Sequence, residues 1–231
     1  MKETKVKKDQ IPINFNFISH KSFENYIIGN DNIITEILKK SSNSESPSIV
    51  FLSGKKSSGK SHLCYAVISL SNKSTYFVDE FNIKDIDCNN SNMHDLLIID
   101  NIDKIISEHN LEEKLFILIN DFILNKKCIL VTSTIPLNKI QFKLPDLTSR
   151  LKWDQILEIP ELTDEDKIKV LKKNAIEKGW ILPDNVSDYI IRHYRRDLYF
   201  LCNCIKFIDE ASLSLKKKIT IPFIKNIMKY K

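Results

Sequence analysis

Ser48-Ile49-Val50-Phe51-Leu52-Ser53-Gly54-Lys55-Lys56-Ser57-Ser58-Gly59-Lys60-Ser61 decides the fold of this 231-residue chain. Its first half is an apolar run behind the polar loop Ser41 to Pro47, and it reads as a strand buried on both faces. Its second half matches G-x-x-x-x-G-K-[ST], in which glycines let backbone N–H groups close around phosphate at a helix N-terminus. The apolar segment Leu63 to Leu70 supplies that helix. A chance match in a loop rich in Lys and Ser would lack this strand, loop and helix setting. Gly54, Ser58, Gly59, Lys60, Ser61 and the adjoining His62 are therefore candidate nucleotide-binding residues. Lys60 would reach the β and γ phosphates, and the Ser61 hydroxyl would sit on Mg²⁺.

Working outward, further strands are predicted at Thr75 to Val78, Leu96 to Ile99, Cys128 to Thr132 and Gln155 to Ile159. Helical stretches fall between several of them, notably Leu111 to Leu124, and one helix precedes them at Asn32 to Lys40. Apolar strands alternating with helices imply an α/β fold, a parallel sheet covered on both faces. Asp95-Leu96-Leu97-Ile98-Ile99-Asp100-Asn101 ends a strand in a carboxylate, which puts Asp100 beside the metal across the sheet crevice. The next position, where an ATPase often carries an acid to orient water, is Asn101, so hydrolysis by this chain alone should be poor.

After Pro160 the pattern turns wholly helical. Thr163-Asp164-Glu165-Asp166 reads as an N-cap with first-turn acids, caps rather than catalysts. Helices are expected at about 184 to 192, 196 to 216 and 221 to 230. The domain organisation read here is an N-terminal arm over 1–20, a sheet domain over 21–160 and a helical lid over 161–231.

Composition bounds the function class. Hydrophobic residues make up 42% and charged residues 28%, which excludes disordered, collagen-like and coiled-coil chains. Lys+Arg 35 against Asp+Glu 30 leaves +5, an ordinary solubility margin. The five cysteines Cys64, Cys88, Cys128, Cys202 and Cys204 lack zinc-site spacing and fit a reducing cytoplasm. No apolar run approaches the about 18 residues of a membrane span, and Met1 to Gln10 is polar without an apolar h-region, so a cytoplasmic, non-membrane protein is expected. Lysine is the default cation. Against it stand only Arg150, Arg192, Arg195 and Arg196, where a need for the flat guanidinium fork is more pronounced.

Five segments together carry a resemblance: the phosphate loop; Leu97-Ile98-Ile99-Asp100-Asn101-Ile102; Leu130-Val131-Thr132-Ser133-Thr134-Ile135-Pro136; Leu144-Pro145-Asp146-Leu147-Thr148-Ser149-Arg150-Leu151-Lys152-Trp153; and Ile219-Thr220-Ile221-Pro222-Phe223-Ile224. They are similar to the AAA+ module of DnaA-type replication proteins, most closely of the Hda type. The similarity runs from Phe23-Glu24-Asn25-Tyr26 onward. It implies a five-stranded αβα sheet, a helical lid, ADP or ATP with Mg²⁺ between them, and assembly in which one subunit's arginine completes its neighbour's site. By position Arg150 matches that finger. Thr134 matches the first sensor, with Ser133 as the alternative. The second-sensor position falls on Tyr199 rather than an arginine, and Arg196 or Arg195, about one helical turn earlier, are the residues left to reach the same region.

The same resemblance gives meaning to Gln10-Ile11-Pro12-Ile13-Asn14-Phe15, which is similar to the peptide by which such proteins bind the DNA polymerase sliding clamp. Gln10 and Ile11 begin the motif, and Ile13 and Phe15 would fill an apolar pocket. The DnaA initiator carries a helix-turn-helix domain beyond the lid, and its lack here implies the regulator. The function implied is a nucleotide-binding regulator of chromosomal replication initiation that, tethered to the clamp, stimulates ATP hydrolysis on DnaA. The partners implied are the clamp, DnaA, DNA through the clamp, and further copies of the chain. The alternative is an autonomous DnaA-like ATPase such as a helicase loader.

Overall fold

A computed structural model describes residues 21–29, 32–44, 46–85, 92–106 and 109–228. In chain order the elements are α1 Ile33–Asn43, β1 Ile49–Ser53, α2 Lys60–Leu70, β2 Thr75–Val78, β3 Leu96–Ile99, α3 Ile102–Ile105, α4 His109–Leu124, β4 Cys128–Ser133, α5 Pro145–Leu151 and β5 Gln155–Glu158. Four helices follow: α6 Asp164–Glu177, α7 Asp184–His193, α8 Leu198–Leu215 and α9 Ile221–Ile227. All five expected strands form, and they pair in parallel in the order β2-β3-β4-β1-β5. The chain leaves β1 for the far edge of the sheet and returns, so the strand order reverses beside β1. A crevice opens at the strand C-termini there.

Strand side chains alternate between two cores. Ile49, Phe51, Leu97, Ile99, Ile129 and Val131 pack against α3, α4 and α5. Val50, Leu52, Leu96, Ile98, Cys128 and Leu130 pack against α1 and α2 on the other face. Phe51 pairs in register with Val131, and both are fully buried. Truncating such an aromatic to alanine costs about 3–5 kcal/mol, lost transfer energy plus a cavity.

The lid has its own core, built from Leu171, Ile190, Leu201, Ile205, Ile208 and Ile224 among others. Side-chain caps start three of its four helices, α6, α8 and α9. Thr163 Oγ1 accepts from the Asp166 amide at 3.2 Å and donates to the Asp166 carboxylate at 2.8 Å. Asp197 accepts from the Phe200 amide at 2.8 Å, and for that reason α8 begins at 198 rather than 196. One expectation fails in the base: Ser41 to Asn43 are helical rather than loop. Ser41 donates to the Ile37 carbonyl and Ser42 to the Lys39 carbonyl, so their hydroxyls are satisfied inside the helix. Among the described residues no helix is long and apolar enough to cross a membrane.

Candidate functional site

The loop between β1 and α2 is shaped by backbone that most residues avoid. Gly59, the residue before α2, has φ +97°, and a Cβ there would meet Tyr26 Cε2 at 2.5 Å. A Cβ on Gly54 would meet Ser58 Oγ at 2.6 Å. Gly59 is therefore demanded by close approach as well as by conformation, and Gly54 by close approach alone. Ser57 holds φ +64° without glycine's freedom, which turns the loop back toward the helix. Tyr26 closes the loop from outside by donating its hydroxyl to the Ser58 carbonyl at 3.1 Å, and burial pushes its pKa up to about 12.

Lys60, 4% exposed, donates to the Gly54 carbonyl at 2.7 Å and the Lys55 carbonyl at 3.1 Å. Its ammonium is thus held by the loop's own oxygens, and burial lowers its pKa against the opposing pull of Asp100 and Asp103. Ser58 Oγ is buried without a hydrogen-bond partner. An orphaned hydroxyl in the loop that leads into the N-terminus of α2 suits phosphate oxygens.

Across the crevice, the carboxylate of Asp100 accepts from Ser61 Oγ at 2.5 Å and from Thr132 Oγ1 at 2.6 Å. Thr132 sits near the end of β4 and in turn accepts from the Asn101 amide at 2.8 Å. Asn101, with φ +56°, holds the N-cap position of α3 without a side-chain capping bond. Thr134, just past β4, donates both its amide and its hydroxyl to the Asp103 carboxylate. Lys56, Lys60, Ser61, Asn101, Lys104 and Thr134 line one cavity of about 270 Å³. The hydroxyl of Ser61 beside the Asp100 carboxylate is a hard-oxygen pair suited to Mg²⁺. Among the described residues no cluster of three or more His, Cys, Asp or Glu could hold a metal alone, so phosphate oxygens would have to complete its shell.

A second cavity, about 150 Å³, lies behind the loop between base and lid, lined by Tyr26, Gly59, His62, Asn174, Leu198 and Cys202 among others. His62 Nε2 donates to the Ser22 carbonyl at 2.8 Å. Burial, reinforced by the nearby Lys173 and Lys21 ammoniums, holds its pKa below 6.5. A third, larger cavity of about 720 Å³ separates the loop from α8 and includes Lys55, Lys56, Arg195 and Tyr199.

The lid arginines do not reach the phosphate loop. Arg196 is expected there, but its guanidinium pairs with Asp164 at 2.9 Å on the exposed start of α6 and lines none of these cavities. It precedes the Asp197 cap, outside the helix, so the one-turn spacing to Tyr199 does not bring it to the loop. Arg195 lines the cavity of about 720 Å³ but is held by Asp197 at 3.0 Å. Tyr199 occupies the position instead, with Lys56 Nζ 3.7 Å from its ring centroid.

Arg150 stands apart from all three cavities. It lies in the last turn of α5, half-buried, and its guanidinium lies 5.9 Å from the Trp153 ring centroid. Phe116, Asp146, Ser149 and Trp153 complete a groove of about 370 Å³ around it. No hydrogen bond or ion pair within the described residues ties it down. The Gln10, Ile11, Ile13 and Phe15 motif lies outside the described residues. Sequence reasoning missed Tyr26, Asp103, Lys104 and Thr132 as parts of the site. Only Asp103, three residues past Asp100, carried a local signal.

The lid matches the family described as "Hda, lid domain" over residues 164–228. A Haemophilus influenzae protein without an assigned function is 30% identical over 233 residues, spanning 95% of this chain and 98% of that protein. The chain belongs to the DnaA-like AAA+ proteins of the Hda type. Domain III of the Thermotoga maritima replication initiation protein DnaA superposes with a TM-score of 0.81 at 16% identity, covering 95% of this chain and 98% of that one. AMPPCP-bound DnaA from Aquifex aeolicus matches at TM-score 0.68 and 21% identity over 88% of this chain and 70% of its own. The likeness to these DnaA structures extends through base and lid together. In this Hda-type chain, therefore, the crevice between loop and lid is part of a shared architecture.

Proposed function

We propose that this Hda-type protein is a nucleotide-binding regulator of replication initiation that acts on DnaA in trans. One observation carries the reading: Arg150 makes no hydrogen bond or ion pair among the described residues and borders an open groove, lining none of the three cavities around the phosphate loop, while the residue after Asp100 is an amide. An amide cannot take a proton from water, so the chain's own site is poor for hydrolysis. A free guanidinium can offset charge on a phosphoryl group transferring on a neighbour.

ADP or ATP would be held by Gly54 to Ser61, with Lys60 exchanging its loop carbonyls for phosphate and Ser58 Oγ gaining a partner. Ser61 and Asp100 would hold Mg²⁺, which when bound offsets phosphate charge. Thr134, kept in place by Asp103, borders the same cavity as a first sensor. Gln10, Ile11, Ile13 and Phe15 would tether the protein to the sliding clamp, and thereby near DNA. The same Arg150 surface would serve self-assembly.

The test is phosphate release from ATP-loaded DnaA mixed with this protein and DNA-loaded clamp. The wild type should accelerate release, and Arg150→Lys should lose most of an effect that for arginine fingers is about 10³–10⁵-fold. Fast turnover by the isolated wild type, or full stimulation by Arg150→Lys, would favour the autonomous ATPase.

A further inference from the structure

The phosphate cavity holds a cation for which the site so far has no task. Lys56, Lys60 and Lys104 all border it. Lys60 is bound to the loop carbonyls, and Lys56 is drawn toward the lid by the Tyr199 ring. Lys104 comes from the opposite wall, from α3 behind Asn101, and its partner is Glu80 at 3.2 Å. Both members of that pair are about two-fifths exposed, 41% and 40%, and an exposed pair of this kind contributes little to stability. The Lys104 charge is felt at Lys60, where it opposes protonation. The two carboxylates on this side, Asp100 and Asp103, are already engaged by Ser61, Thr132 and Thr134.

We infer that Lys104 is the residue by which this site distinguishes a nucleoside triphosphate from a diphosphate: it leaves Glu80 for the terminal phosphate and supplies from the base the positive charge that the lid arginines, tied to Asp164 and Asp197, do not. A diphosphate, seated on the loop amides and Lys60, ends short of the Lys104 wall. A third phosphate extends toward it. The exchange of a half-solvated carboxylate for a phosphate of higher charge, in a more enclosed setting, favours the triphosphate.

The inference rests on the nucleotide-binding reading above, and the experiment separates the two. Displacement of a fluorescent ADP analogue by ADP and by AMPPCP, with Mg²⁺, is measured for the wild type, Lys104→Gln, Glu80→Gln and Lys60→Ala. Lys104→Gln should weaken AMPPCP about tenfold while moving ADP less than about twofold. Glu80→Gln, which releases Lys104, should shift preference toward AMPPCP. Lys104→Arg, keeping the charge, should stay close to wild type. Equal effects of Lys104→Gln on both ligands, or no effect on either, overturn the assignment while Lys60→Ala still weakens both. If the wild type binds neither ligand, or Lys60→Ala changes nothing, the nucleotide site itself is wrong and the inference falls with it. Melting temperatures of the four variants, without ligand, identify any loss that comes from misfolding.

Discussion

Ser61 donates its hydroxyl to Asp100 at 2.5 Å, joining the first turn of α2 to the end of β3 across the sheet crevice. The bond brings together residues 39 positions apart and leaves the second Asp100 oxygen to Thr132. A divalent cation bound between the two, as proposed above, would displace this hydrogen bond while the Ser61 hydroxyl kept its proton.

Asp100→Asn should leave the fold intact, since an amide oxygen still accepts from Thr132, but it removes the negative charge Mg²⁺ needs. In the wild type, nucleotide at about a hundred times Kd should add roughly 2.7 kcal/mol of stability, more with Mg²⁺ than with chelator. In Asp100→Asn the melting curves with Mg²⁺ and with chelator should coincide. A persistent Mg²⁺ increment in the variant would place the metal elsewhere.

Gly59→Ala should destabilise the protein by about 1–3 kcal/mol, because alanine is strained at φ +97° and its Cβ would run into the Tyr26 ring at 2.5 Å. Denaturant midpoints check this. Gly179, also at positive φ but with open space around it, should suffer only the conformational part, and equal costs at the two sites would contradict the steric argument.

His62 has a folded-state pKa below its ordinary 6.5 because burial disfavours the cation. Between 6.5 and that lower value the unfolded chain binds more protons than the folded one. Stability therefore rises with pH through this window, is fully present above it, and is lost on acidification. Melting temperature followed from about pH 7.5 down to about pH 5.5 should fall more steeply in the wild type than in His62→Asn, which cannot titrate but can still donate to the Ser22 carbonyl. Parallel slopes would show that other groups carry the dependence.

Replacing Ile13 and Phe15 together by alanine should weaken binding to the sliding clamp by about 2–4 kcal/mol, as expected when central apolar anchors of a small interface are removed. Nucleotide binding should not change. Surface-bound clamp titrated with each protein gives the answer, and undiminished affinity would exclude the arm as the tether.

The parts legible in the sequence are those whose cause is local. The run Ile49 to Leu52 is apolar at every position because β1 is buried on both sides, Gly59 announces a backbone no other residue adopts cheaply, and Gly54 a close approach that leaves no room for a Cβ. Thr163 and Asp197 cap the residues that follow them. Family resemblance placed Arg150, and the lid boundary followed from the end of strand-like patterning at Pro160. The Ser41–Asn43 extension of α1 was illegible because serine marks loops by competing for backbone groups, yet here its hydroxyls bond back within the helix.

The sequence by itself determined an α/β sheet in the right strand positions, a glycine-bearing loop between β1 and α2, a carboxylate, Asp100, at the end of β3 and a set of helices after Pro160, since each depends on contacts within a few residues or on the period of burial. Only the tertiary structure decided which cations face the phosphate cavity. Arg196 and Tyr199 are close in sequence, but the Asp197 cap between them sends one to Asp164 and leaves the other to Lys56. Lys104 and Thr132 reach the site from α3 and β4 because the parallel register of β3 and β4 aligns their ends beside β1. Side-chain direction at a strand or helix end is set by what packs across the crevice, and that partner lies tens of residues away in the chain.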